Sequence, residues 1–162
     1  MDGAIALCSG RGGAFTDWVR SPHLEYELWL SPTQAGVIQG ILERTGTELV
    51  WVSTWAHNAA TYIEDVLGWS THRFALLPHP DITGADTDPE TGRWWKLDVV
   101  ERLQAERQPG RFVWSDDDLT PRRCGPSNGG WALACGLLQA ADQQVGLTRD
   151  LLRETEEHLA RG

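Results

Sequence analysis

The chain has 162 residues, 41% of them hydrophobic and 23% charged, which suits one ordinary globular domain and excludes wholesale disorder. Its 23 acidic residues against 14 basic ones leave a formal charge of -9 at pH 7, the wrong sign for a general nucleic-acid coat with a broad basic face. No apolar run reaches the eighteen or so residues of a membrane span, and three cysteines (Cys8, Cys124 and Cys135) without CxxC spacing argue against a disulfide framework or zinc knuckle. The start carries no basic n-region and only a short apolar stretch, Ala4 to Cys8, so a reducing cytoplasm is the expected compartment. Thirteen of the basic residues are Arg, and Lys96 is the single Lys.

In chain order, Met1 to Cys8 opens acidic and turns apolar, and Ser9 to Gly13 reads as a glycine-rich loop. Ser31-Pro32-Thr33-Gln34 predicts a helix start with a capping box, and Ala35, Ile38, Ile41 and Leu42 follow at helical spacing until Gly46 stops it. Glu48 to Val52 predicts a strand. Ala56 to Leu67 predicts a helix with Ala59, Ala60, Ile63 and Leu67 inward. Arg73 to Leu77 predicts a second strand, and Pro78 to Arg93 a long polar loop. A helix is expected over Lys96 to Arg107, a third strand over Arg111 to Ser115, and a further one over Gly136 to Ala141. Thr148 caps a last helix through Leu159. Strands alternating with helices predict one α/β domain with a mostly parallel sheet.

Ligands of such sheets bind beyond the carboxyl ends of the strands. The polar residues there are Asp2, Thr54 after the first predicted strand, and Asp116 and Asp117 after the third, joined by Lys96 at the head of its helix. Carboxylates of this kind suit Mg²⁺, a hard cation that favours oxygen ligands. A hydroxyl and an ammonium complete a cradle for phosphate. The chemistry implied is phosphoryl transfer, in which positioning and charge neutralisation carry most of the catalysis.

Each of these residues has a plainer reading. Thr54 can cap the helix that follows, and Lys96 alone could be a surface lysine. Asp116 to Asp118 could be a solvated turn, though three neighbouring acids repel one another and a cation is the economical explanation. Other candidates fail: Asp86, Asp88 and Glu90 do not complete a calcium loop, and the five histidines show no zinc spacing. Ser9 to Gly13 lacks the ending of a P-loop and reads as a rim of the site. Trp55, beside Thr54, could stack on a base or ring of a substrate.

The order Asp2-Gly3, Thr54, Lys96, Asp116-Asp117 resembles the four motifs of the haloacid dehalogenase (HAD) superfamily of phosphohydrolases. The local wording resembles a small, capless branch, the HAD domain of Swiss Army Knife RNA-repair proteins and their stand-alone relatives. The residues concerned are Leu49-Val50-Trp51-Val52-Ser53-Thr54-Trp55, Trp95-Lys96-Leu97, Val113-Trp114-Ser115-Asp116-Asp117-Asp118-Leu119 and Gly146-Leu147-Thr148. The resemblance spans nearly the whole chain. It implies a single-domain Rossmann-like three-layer sandwich without a cap, with the first strand truncated. It also implies Mg²⁺ at Asp2, Asp116 and Asp117, phosphate held by Gly3, Thr54, Trp55 and Lys96, and catalytic roles for Asp2, Thr54 and Lys96. The substrate implied is a phosphorylated small molecule or a nucleic-acid end, met without a membrane.

One departure matters most. The first motif of the family is DxDG, whose first Asp is the nucleophile and whose second is the general acid and base. Here it reads x-Met1-Asp2-Gly3, so the nucleophile's place falls just before Met1. Either the true start lies upstream and restores it, or the domain is a catalytically inactive phosphate-binding, metal-binding or protein-interaction module.

Overall fold

The computed structural model describes residues 14–22, 28–53, 58, 60–69, 73–74, 93–107, 110–119, 136–142 and 144–161, and the account below concerns these. Strand β1 (Val19–Arg20) pairs antiparallel with β2 (Trp29–Leu30), with Val19 opposite Leu30. Helix α1 (Pro32–Thr45) leads to β3 (Val50–Trp51). A π-helical turn, Ala60–Glu64, runs into the short helix α2 (Asp65–Leu67). Strand β4 (Arg73–Phe74), helix α3 (Trp95–Arg107), β5 (Phe112–Asp116), β6 (Gly136–Ala140) and helix α4 (Arg149–Leu159) complete the series. The architecture is mixed α/β, and β3–β4 and β5–β6 are both parallel pairs.

The ends of α1 follow from its sequence. Ser31 is extended and its Oγ accepts from the Gln34 backbone N–H at 3.1 Å, while Pro32 fills the first turn, where no donor is needed. Gly46 adopts φ +63°, and the N–H of Thr47 bonds back to the Leu42 carbonyl at 3.0 Å, closing the last turn. The expected capping box is only half made. The Gln34 side chain does not reach back to Ser31; it is buried and donates to the Leu147 carbonyl at 2.9 Å. The second contribution comes from Asp17, which accepts from Ser31 Oγ and, at 2.7 Å, from the Thr33 N–H. Burial pushes the Asp17 carboxyl up, but the hydrogen bonds from Ser31 and Thr33 outweigh it and hold the group below its usual range.

Other boundaries shift a little. The strand expected over Glu48 to Val52 pairs only at Val50–Trp51, and the last helix starts from Thr148 as predicted, its hydroxyl accepting from the Leu151 N–H. The helix expected over Ala56 to Leu67 is described from Ala60 as a π-turn, and its wider turn buries the adjacent Ile63 and Glu64 together. Residues 75–92, where most of the predicted long loop falls, lie outside the described residues.

Both faces of the β5–β6 ladder carry a helix. Phe112 and Trp114 pack with Trp95, Val99 and Val100 of α3. On the opposite face Ser115 bonds Gln139, which donates to the Leu151 carbonyl of α4 at 2.8 Å. Helix α1 lies beside α4 and runs the same way, since Gln34 near its start reaches Leu147 and Arg44 near its end reaches Glu156. Helix α1 feeds β3 as α4 turns back over β6, so β3 and β5 also point in one direction. Among the described residues no ladder joins them. A cleft of about 490 Å³ is lined by Val50, Val52, Phe112 and Val113, among others, and reaches Asp116.

Candidate functional site

The site is built where α3 meets the end of β5. The alternation of β5 turns Phe112, Trp114 and Asp116 to the α3 face, so a strand that begins apolar ends by presenting a carboxylate to the same helix. The strand was expected to stop at Ser115; it continues one residue further and includes Asp116, which fixes that carboxylate on the sheet rather than in the turn. Lys96 is the second residue of α3, flanked by the buried Trp95 and Leu97. Its Nζ donates to Asp116 Oδ2 at 2.7 Å, and the side chains are only 4% and 3% exposed.

This pairing runs against two local preferences. An ammonium in the first turn of a helix meets the positive end of the helix dipole, and a buried charge loses its hydration. Asp116 compensates for both. The indole of Trp94 adds a weaker attraction, with Lys96 Nζ 5.9 Å from its ring centre, and Trp94 itself stacks on Trp114 at 5.1 Å. Arg93 steadies the head of α3 from outside, bonding Asp98 at 2.6 Å and Glu101 at 3.1 Å. Its guanidinium is raised above its usual range, chiefly by the bond to Glu101, against the effect of burial.

Asp116 Oδ1 accepts from the Asp118 backbone N–H at 2.9 Å, which folds the chain back at once and gathers Asp116, Asp117 and Asp118. One carboxylate oxygen from each lies within 4.8 Å of the others, so the cluster could hold a metal ion. The donors are all hard carboxylate oxygens. The residues present are compatible with a bound metal ion and do not by themselves select one.

Of the residues singled out in the sequence, the structure brings Lys96, Asp116 and Asp117 together. Asp2, Gly3, Thr54 and Trp55 lie outside the described residues; Ser53, just ahead of Thr54, is buried. One buried carboxylate was not anticipated. Glu64, 1% exposed, accepts from the Trp51 indole N–H at 2.8 Å beneath β3. Its partner is thirteen residues away and its place depends on the π-turn, so no local spacing announces it. The same holds for Gln139, which Ser115, Thr155 and the Leu151 carbonyl surround inside the β6–α4 seam.

No family model, curated protein or solved structure matches the chain. No helix among the described residues is long and apolar enough to cross a membrane.

Proposed function

We propose that the chain is a Mg²⁺-dependent phosphohydrolase domain of the HAD type, with a capless, Rossmann-like three-layer fold, acting in the cytoplasm on a phosphorylated small molecule or nucleic-acid end. The observation that carries the reading is the buried Lys96–Asp116 pair at the carboxyl end of a parallel strand, with Asp117 and Asp118 beside it. A structural ion pair needs one carboxylate; the two further acids and the chain's single Lys at this point suit a bound phosphate and cation.

In this reading Asp116 and Asp117 hold the metal with Asp2, and Mg²⁺ when bound neutralises phosphoryl charge. Lys96 neutralises a phosphoryl oxygen, and Thr54 donates a hydrogen bond to another. Gly3 leaves room for the phosphate near the backbone, and Trp55 stacks on a ring of the substrate. The family's nucleophile would be an Asp placed one residue ahead of Met1, which this sequence does not carry; supplied there, it would attack phosphorus. Asp2 protonates the leaving oxygen and then takes a proton from the water that releases phosphate. With another residue in that place the same site binds phosphate without turning it over.

The test is a phosphomonoesterase assay with Mg²⁺ on the chain extended by one Asp ahead of Met1. Turnover that is abolished by chelation and by Asp116→Asn supports the reading. No turnover, or turnover indifferent to Asp116→Asn, overturns it.

A further inference from the structure

We infer that Trp94 is a positioning residue for Lys96: its indole face, backed by Trp114, holds the ammonium at the spot where it meets phosphate. The inference rests on the phosphate role proposed above for Lys96. Two rungs cross the seam between the head of α3 and the end of β5. Lys96 meets Asp116 at 2.7 Å, and Trp94 stacks on Trp114 with ring centres 5.1 Å apart and planes 19° apart. Trp94 stands two residues before Lys96, and Trp114 stands two residues before Asp116 on the same face of its strand. The stack therefore spaces the helix head from the strand one step away from the ion pair.

The backbone at Trp94 is fixed on its own account. Its carbonyl accepts from the Leu97 N–H at 3.0 Å and the Asp98 N–H at 3.4 Å, which starts α3. Arg93, immediately before it, is tied to Asp98 and Glu101 of the same helix. The Trp94 side chain is buried, and Lys96 Nζ lies over its ring, 5.9 Å from the centre.

A lysine side chain keeps many rotamers unless its surroundings remove them. One carboxylate fixes a distance and leaves the approach open; a second attraction, from the ring face, fixes the direction as well. Within the proposed site the two anchors differ in kind. Asp116 also serves a cation there, which draws on the same carboxylate charge, whereas the indole has no second duty. A ring face attracts the ammonium without neutralising it, so Lys96 keeps the charge that phosphate requires.

Lys96 is the chain's single Lys, so lysine labelled isotopically at Cε gives one side-chain NMR signal for the whole protein. The full chain is compared with Trp94→Phe, which keeps a ring face, and Trp94→Leu, which does not. Trp94→Met, more adaptable in packing, replaces Trp94→Leu if the latter does not fold. In the parent chain the two ε-protons should be distinct, as in a fixed side chain. They should draw together and move downfield in the aliphatic variant and stay distinct in Trp94→Phe. A merely structural Trp94 would lower the urea midpoint and leave this pattern unmoved. Protons equally distinct in all three chains, or already merged in the parent, overturn the proposal.

Inorganic phosphate is then titrated calorimetrically in the presence of Mg²⁺. Its affinity should fall about three- to thirtyfold in the aliphatic variant and largely recover in Trp94→Phe. Equal affinity in all three chains overturns the proposal. The expected proton pattern with no phosphate binding by any chain supports the positioning of Lys96 and counts against the phosphate reading alone.

Discussion

Two corners of the molecule are held by ion pairs of almost the same length. At one, Lys96 meets Asp116 at 2.7 Å with side chains 4% and 3% exposed; at the other, Arg44 of α1 meets Glu156 of α4 at 2.6 Å with side chains 58% and 38% exposed. The outer pair sits in water, where solvent and salt screen it and side-chain ordering offsets most of its attraction. The inner pair has lost its hydration on both sides, and well-packed apolar residues would hold the same corner at least as firmly. A pair that adds little to stability over an apolar alternative, placed where a helix start meets a strand end, is the feature on which the proposed phosphate site rests.

The largest predicted effect follows from that contrast. Asp116→Ala strands a buried ammonium, and the cost should be about 3–5 kcal/mol, read from urea unfolding. Lys96→Met should cost less, because Asp116 keeps its bond from the Asp118 N–H. The double variant Lys96→Met with Asp116→Ala should be more stable than the sum of the single losses predicts. A strictly additive cycle would mean that the two groups do not depend on each other.

Next comes Trp51→Phe, which removes the indole N–H from the buried Glu64 while keeping an aromatic ring. A loss of about 1–3 kcal/mol is expected in the same assay. Asp17→Ala should cost about 1 kcal/mol through the head of α1. Its pH dependence has a definite sign. The folded-state pKa of Asp17 lies below its ordinary value of 3.8, so its contribution is present above that value and disappears as pH falls through the folded pKa. Below that range Asp17→Ala and the unaltered chain should converge in melting temperature. The smallest effect belongs to Arg44→Ala: its melting temperature should match that of the parent chain at physiological salt.

The contrast also explains what could be read without a structure. The first and last long helices are legible because their signals are local: Ser31, Pro32 and Gly46 bound one, and Thr148 opens the other. Lys96, Asp116 and Asp117 stood out because the chain's single Lys and a run of acids are visible in one dimension. Gln34 misled, since its capping role and its actual bond to Leu147 differ only in the fold, 113 residues apart. Glu64 was silent because a π-turn changes which neighbours face inward, and apolar periodicity at the usual helical spacing does not encode that. The β1–β2 pair was not anticipated either; two residues per strand are too few for alternation to show.

The central claim is that the Lys96–Asp116 corner exists to hold phosphate with a divalent cation. Calorimetric titration of inorganic phosphate into the chain, with and without Mg²⁺, tests this most directly, alongside Lys96→Met and Asp117→Asn. The account predicts binding that requires Mg²⁺, that is lost in Lys96→Met, and that needs more Mg²⁺ in Asp117→Asn. Phosphate binding that ignores Mg²⁺ and both substitutions, or no binding by the folded parent chain, would contradict it.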